Sequence, residues 1–318
     1  MQWHLSKGLA GLGLTALVVL GLAALPAADD PPKFSAWSAP VNLGQTVNSS
    51  SYDACPTIAK SGLSLYFRSN RPGGNGGFDI YVAQRDSVDE GWDTPFNLGP
   101  TINGPSNEYC TTFSPDGHWM VFVSDRPGCG SQDLWISHRR NKRDDFGWEA
   151  PVNLGCVVNS TAQENGPAWF EDEESGRTML YFSSGRPGGL GLLDIYVSEL
   201  ESDRKGDFGL PSLVRELSTA STDYQPTLSK DGLELIFASN RPGGLGAPDL
   251  WVSTRDSTGD PWSPPVNLGE VVNSTASDFH PTLSFDRTTL IFASERGGAP
   301  AGLGDLWMST RTKVRGKN

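Results

Sequence analysis

The 318-residue chain lacks long amphipathic segments. Beyond residue 30 no stretch keeps a 3.6-residue apolar period, whereas short alternating apolar runs occur throughout. Ten Trp and fourteen Phe supply apolar bulk for a packed core, which excludes a disordered polar chain. Because 37 Gly and 23 Pro also mark frequent turns, we predict an all-β protein.

Positive charge is scarce as well. The chain has 25 Lys and Arg against 37 Asp and Glu, a net charge of −12, and the basic residues are mostly scattered. This balance excludes a nucleic-acid partner. Gly-rich phosphate loops, H-E-x-x-H and G-x-S-x-G are missing, and four dispersed His do not form a ligand set, so we predict no cofactor and no metal centre.

Residues 1–28 read as a signal peptide. A positive start with Lys7 precedes an apolar run of 18 residues, Gly8 to Leu25, and small residues follow it. The run is close to the shortest length that spans a bilayer, so an uncleaved anchor is the alternative and the only predicted membrane contact. Either reading predicts export to the periplasm or the extracellular space, where disulfides are chemically permitted.

The remainder is built from five repeats. Each unit opens with an aromatic residue and continues with four short segments of strand character, separated by Asp-Gly or Pro-Gly-Gly turns. The opening aromatics are 54 to 60 residues apart: Trp37, Trp92, Trp148, Phe208 and Trp262. Four strands at this period are typical of β-propeller blades, so residues 34–312 are predicted to form one five-bladed propeller.

The phase of the repeat predicts how the ring closes. Trp37 to Leu43 resembles the fourth strand of a unit, whereas the last unit ends after its third strand at Arg311. We therefore predict that the N-terminal segment completes the last blade as its outer strand. Residues 313–318 are predicted to be a basic tail.

The repeats resemble the WD40-like propeller repeat of the PD40 type, as in TolB-like propellers. The resemblance rests on Pro115-Asp116-Gly117 and Lys230-Asp231-Gly232, followed by Phe-x-Ser-x-Arg and Gly-x-x-Asp-Leu/Ile-Trp/Tyr. It covers nearly the whole chain after the N-terminal segment. It implies a propeller that serves as an interaction platform.

Two repeated residues suggest ion pairs. An Arg ends strand two and an Asp opens strand three in every unit, which predicts a pair closing the Gly-rich loop within each blade. The alternative is a ring of free Arg residues that grips an anion. The expected pairs are Arg71 with Asp79, Arg126 with Asp133, Arg186 with Asp194, Arg241 with Asp249, and Arg296 with Asp305.

An acidic residue precedes every inner strand, and the propeller topology gathers the five near one mouth of the channel. Either each carboxylate caps a local turn, or the ring binds a cation or another ligand. His280, two residues after the last of them, joins this candidate site. The acidic residues are Asp53, Glu108, Glu164, Asp223 and Asp278.

The four Cys predict two disulfides. Cys55 and Cys110 occupy the same repeat position in adjacent units, which predicts a bridge between blades. Cys129 and Cys156 belong to the two loops of one blade and are predicted to pair within it. A catalytic thiol is disfavoured because no His stands in a partnering motif.

From these observations we expect an exported module that binds a protein or a glycan at the channel mouth, and that is not an enzyme. The alternative is a carbohydrate-active enzyme of the glycoside hydrolase type, which would use two mouth carboxylates. Because every mouth carboxylate identified here is a repeat feature, the binding module is preferred.

Overall fold

The computed structural model describes residues 33–202, 206–297 and 303–314. Five four-stranded antiparallel sheets form the blades of a β-propeller, which confirms the predicted all-β, five-bladed fold. Among the described residues no helix is long and apolar enough to cross a membrane. The predicted signal peptide or anchor, residues 1–28, lies outside the described residues.

The chain runs through the blades in order, from the innermost strand outward. Two short strands come first, β1 (Lys33–Phe34) and β2 (Val41–Asn42). Blade 1 contains β3 (Asp53–Ile58), β4 (Ser64–Ser69), β5 (Asp79–Gln84) and β6 (Phe96–Asn97). Blade 2 contains β7 (Glu108–Phe113), β8 (Trp119–Ser124), β9 (Asp133–His138) and β10 (Val152–Asn153).

The remaining blades repeat this pattern. Blade 3 contains β11 (Glu164–Glu171), β12 (Thr178–Ser184), β13 (Asp194–Glu199) and β14 (Ser212–Leu213). Blade 4 contains β15 (Asp223–Leu228), β16 (Glu234–Ser239), β17 (Asp249–Thr254) and β18 (Val266–Asn267). Blade 5 contains β19 (Asp278–Leu283), β20 (Thr289–Ser294) and β21 (Asp305–Thr310), and β22 (Lys313–Val314) follows. One helical turn, α1 (Gly155–Val158), and a 3-10 turn (Arg215–Leu217) lie in connecting loops.

The ring closes as predicted. Strand β2 pairs with β21 and becomes the outer strand of blade 5, with Val41 opposite Met308 and Asn42 opposite Trp307. Residues 313 and 314, expected to begin a basic tail, instead form β22, which pairs with β1. The two ends of the propeller are therefore fastened by two separate ladders.

Each blade has the same core residue in its second strand. This Phe is the first residue of the Phe-x-Ser pattern and is at most 1% exposed in every blade, and burying such a side chain contributes about 1.5–3 kcal/mol. The five are Phe67, Phe122, Phe182, Phe237 and Phe292. The opening aromatic packs farther out, where an Arg from the end of strand three lies over its ring in four units, for example Arg139 over Trp148 at 4.3 Å.

A β-bulge interrupts the inner strand of every blade. In blade 1 the pairing with β4 shifts between Ala54 and Thr57, and the other four inner strands shift at the same place. Cys55, Gln225 and His280 adopt positive φ angles of 53° to 56° at this bulge, and Gly166 does so at 54°. The bulge brings one side-chain position from each blade to the axis of the channel.

Candidate functional site

The five acidic residues of the predicted ring do start the inner strands, but they are buried. Each is 0% exposed and accepts hydrogen bonds from the loop that precedes it. Asp53, for example, accepts the backbone N–H of Ser49 at 2.6 Å and its hydroxyl at 2.8 Å. Glu108, Glu164, Asp223 and Asp278 accept equivalent backbone bonds. These carboxylates therefore cap turns and do not face a ligand.

The repeated Arg residues pair with these buried acids, so the predicted partners were wrong. Arg71 donates to Asp53 at 2.7 Å, whereas Asp79 was expected. Both acids are buried, but the Gly-rich loop and Asn97 already donate hydrogen bonds to Asp79, whereas Asp53 takes the guanidinium as its compensating cation. The other pairs are Arg126 with Glu108, Arg186 with Glu164, Arg241 with Asp223, and Arg296 with Asp278, at 2.5 to 3.2 Å. The guanidinium groups supply the compensating positive charge, for which a bound cation was the alternative to turn capping.

The Asp that opens strand three closes the Gly-rich loop without Arg. Asp79 accepts the backbone N–H of Gly76 at 2.9 Å and the side-chain amide of Asn97 at 2.7 Å. Four further loop aspartates use loop backbone N–H groups, an Asn side chain or both: Asp133, Asp194, Asp249 and Asp305. Backbone amides and an Asn side chain thus replace the expected salt bridge.

Both predicted disulfides are confirmed. Cys129 pairs with Cys156 within blade 2, and Cys55 pairs with Cys110 between blades 1 and 2. The described part of the chain holds no free cysteine. Two disulfides are compatible with an exported protein.

The bulge residues occupy the channel at one level. The Cys55–Cys110 disulfide, Gln225 and His280 surround a small axial cavity. His280 is buried, and its Nδ1 atom has no hydrogen-bond partner in the described structure. Burial, and then the charge of Arg68, hold the pKa of His280 well below its usual value. This His is therefore a neutral part of the channel lining at pH 7.

An aromatic cluster lies above this level, at the end of the channel where the inner strands begin. Four aromatic residues, Tyr52, Phe78, Tyr109 and Tyr224, surround Arg68. We call these five residues the upper mouth. The Arg68 guanidinium carbon lies 5.0 Å from the ring centre of Phe78 and 5.2 Å from that of Tyr109. Burial raises the pKa values of the three tyrosines, whereas Arg68 acts to lower them. Arg68 is therefore close enough to interact electrostatically with all three phenols.

Two carboxylates of the upper mouth share one repeat position that is acidic in only two of the five blades. Asp125 and Glu295 follow the last residue of strand two, where the other three blades carry Asn70, Gly185 and Asn240. Both are partly exposed. The charge of Asp125 raises the pKa of Tyr109, and that of Glu295 raises the pKa values of Tyr52 and Tyr224. Both carboxylates therefore stand beside the aromatic cluster.

Hydrogen bonds fix these two carboxylates in position. The backbone N–H of Asn107 donates to Oδ1 of Asp125 at 2.7 Å, and the Asn107 side chain donates to Oδ2 at 2.5 Å. The hydroxyl of Ser277 donates to Oε2 of Glu295 at 2.8 Å. In blades 1 and 4 an Asn makes the equivalent backbone bond at 2.8 Å. The negative charge is thus not needed for the fold at this position.

Solved structures share this propeller. An α-L-arabinofuranosidase from Podospora anserina, determined with cellotriose, matches with a TM-score of 0.54 and 16% identity over 87% of this chain and 94% of that one. A Bacillus subtilis arabinanase matches with a TM-score of 0.55 and 14% identity over 84% and 96%. At this identity the similarity establishes the fold. No family model matches the chain, and no curated protein matches it.

These comparisons correct the expected function. The PD40 resemblance, and with it a non-catalytic binding module, finds no matching family model. A putative TolB from Agrobacterium tumefaciens matches with a TM-score of only 0.47, too low to support a TolB-like protein. The propellers that match above 0.5 include several glycoside hydrolases. A protein partner gains no support from any of these comparisons.

Arg68, Asp125 and Glu295 were not predicted as site residues, because the predicted site was built on residues that recur. All three break the repeat. Arg68 occupies the middle of Phe-x-Ser, where the other units carry Val123, Ser183, Ala238 and Ala293. In a column-by-column alignment of the five units, Arg68 is the single cation in its column, and Asp125 and Glu295 are the two acids in a column otherwise of Asn and Gly.

Proposed function

We propose that the chain is a carbohydrate-active enzyme of the glycoside hydrolase type, and that Asp125 and Glu295 are its two working carboxylates. The observation that carries this proposal is that one repeat position is acidic in blades 2 and 5 alone, and that both acids interact electrostatically with tyrosines of the same aromatic cluster. The five acids of the repeat are unsuitable, because they are fully buried and bonded. Proposals for catalysis therefore rest on the residues that break the repeat.

Hydrolysis of a glycosidic bond needs two carboxyl groups on opposite sides of the scissile bond. One protonates the leaving oxygen, and the other either activates water or attacks the anomeric carbon. Asp125 and Glu295 come from blades 2 and 5, which flank blade 1, so they approach the upper mouth from different directions. Tyr52, Tyr109 and Tyr224 supply partly exposed aromatic faces on which a sugar ring can stack.

The substrate is proposed to be a glycan outside the cytoplasm, in the periplasm or the extracellular space. Oxidised cysteines persist in such compartments, and both disulfides lie within the propeller. A known arabinofuranosidase of the same fold holds cellotriose, which supports a glycan ligand for this one.

The test is hydrolysis of a polysaccharide panel by the wild type, Asp125→Asn and Glu295→Asn, with released reducing ends as the readout. Asn is already present at this position in blades 1 and 4, so both variants are expected to fold. Each should lower kcat by about 10²- to 10⁴-fold, the usual contribution of a general acid or base.

Asp256→Asn is the matched control, because this Asp is exposed and follows strand three of blade 4. It should leave hydrolysis unchanged. The proposal fails if the wild type cleaves nothing in the panel, or if both mouth variants retain full activity.

A further inference from the structure

Arg68 is a cation that one blade places in a position where the others have small or apolar residues. The equivalent residues are Val123, Ser183, Ala238 and Ala293. Strand β4 carries Arg68 between the buried Phe67 and Ser69, so the side chain leaves the blade toward the upper mouth. Its guanidinium carbon lies 5.0 to 5.5 Å from the ring centres of Phe78, Tyr109 and Tyr52.

This guanidinium differs from the five repeated Arg residues in lacking a carboxylate. Each repeated Arg has an acidic oxygen within 3.2 Å. Among residues 33–202, 206–297 and 303–314, Arg68 takes part in no ion pair within 4.0 Å. Its Nε atom is buried and has no hydrogen-bond partner there. Burial lowers its pKa, which reports the cost of holding this charge away from water.

Aromatic faces compensate part of that cost, since a cation is attracted to the π-face of Tyr or Phe. The Tyr52 side chain also makes a hydrogen bond with Arg68, but a single phenol oxygen does not fill the planar N–H fork. A carboxylate fits that fork with two parallel hydrogen bonds. Without a ligand, the upper mouth thus contains a guanidinium that lacks a carboxylate partner. Aromatic rings on which sugars can stack surround it.

We propose that the upper mouth selects glycans that carry a carboxylate, so that a hexuronic acid residue pairs with Arg68 while its ring stacks on the tyrosines. This inference rests on the proposed function for the location of the site and adds the class of substrate. It also explains why a chain of net charge −12 places one unpaired cation at this mouth. Without that cation, an anionic glycan would be repelled by Asp125 and Glu295.

The experiment measures binding without turnover. The Asp125→Asn, Glu295→Asn double variant is titrated calorimetrically with a galacturonic acid trisaccharide, a neutral galactose trisaccharide and a sulfated galactose trisaccharide. The uronate should bind at least about tenfold tighter than the neutral sugar, as one charge-assisted hydrogen bond implies. Adding Arg68→Ala should remove this preference, and Arg68→Lys should retain part of it.

Arg68→Ala is a fair probe because blades 4 and 5 already carry Ala at this position. Its melting temperature and its near-UV circular dichroism verify folding. Equal binding of the uronate and the neutral sugar overturns the inference, as does a preference that survives Arg68→Ala. Tighter binding of the sulfated sugar also overturns it, and so does the absence of any binding.

The two proposals fail separately. If the wild type cleaves only neutral glycans, the enzyme stands and the uronate inference falls. If the uronate binds in an Arg68-dependent way and no polysaccharide is cleaved, the inference stands and the enzymatic proposal falls.

Discussion

Gly166→Ala tests how the channel lining is packed. Gly166 has φ +54°, and a Cβ added there would lie 2.6 Å from both Cα and Cγ of Gln225. The Cα belongs to the backbone, so rotating the Gln225 side chain cannot relieve the contact. The left-handed conformation costs a residue with a side chain about 1–2 kcal/mol, and overpacking adds about 1–3 kcal/mol. We therefore expect a loss of about 2–5 kcal/mol in the free energy of unfolding.

Gly99→Ala is the matched control. Gly99 has φ +82°, but no heavy atom lies within 4 Å of its added Cβ. Only the conformational cost of about 1–2 kcal/mol applies to it. Urea denaturation followed by Trp fluorescence measures both variants. If Gly166→Ala unfolds no more easily than Gly99→Ala, the contact between the neighbouring inner strands of blades 3 and 4 does not constrain position 166, and the account of the channel lining is refuted.

Two further predictions concern the cysteines and His280. Replacing Cys129 and Cys156 by Ser opens a link across 27 residues, and replacing Cys55 and Cys110 opens one across 55. The chain-entropy relation predicts that the free energy of unfolding falls by about 3.6 and about 4.2 kcal/mol, respectively. The urea midpoint should therefore fall more when the cross-blade pair is replaced. The reverse order would contradict this reasoning. The pKa of His280 is lowered in the folded state, so as pH falls the imidazole is protonated in the unfolded chain before it is protonated in the folded one. The free energy of unfolding should therefore decrease below about pH 6.5, with a limiting slope of about 1.4 kcal/mol per pH unit. His280→Gln, which copies Gln225, should remove that slope between pH 5 and 6.5, and an unchanged slope would mean that other groups cause it.

The fold could be predicted from sequence because its determinants recur. Five opening aromatics at a nearly constant spacing fixed the number of blades, and the phase of the last unit located the strand that closes the ring. Disulfide pairing followed in the same way, since Cys55 and Cys110 share one repeat position. Such patterns are set by local turn chemistry and alternation, which sequence records directly.

The ion pairs and the site could not be read in this way. Along the chain Arg71 is eight residues from Asp79 and 18 from Asp53, so spacing favours the wrong acid, and both acids are buried. The difference is in the hydrogen-bond donors that folding supplies, since loop amides and Asn97 satisfy Asp79 and the Arg71 guanidinium reaches Asp53. Arg68 was overlooked because its meaning depends on residues from other blades, including Tyr109 and Tyr224.

The strand that completes blade 5 has a consequence for the order of folding. Its Asn42 contacts Asp305, 263 residues later in the chain. Strand β2 is synthesised first and stays unpaired while the four following blades are synthesised. Strand β21 has an unpaired edge until it pairs with β2. Closing so large a loop is slow, and an unpaired edge recruits other chains. Until the ladder between β2 and β21 forms, blade 5 therefore has an open edge at which pairing with another chain competes with closure of the ring.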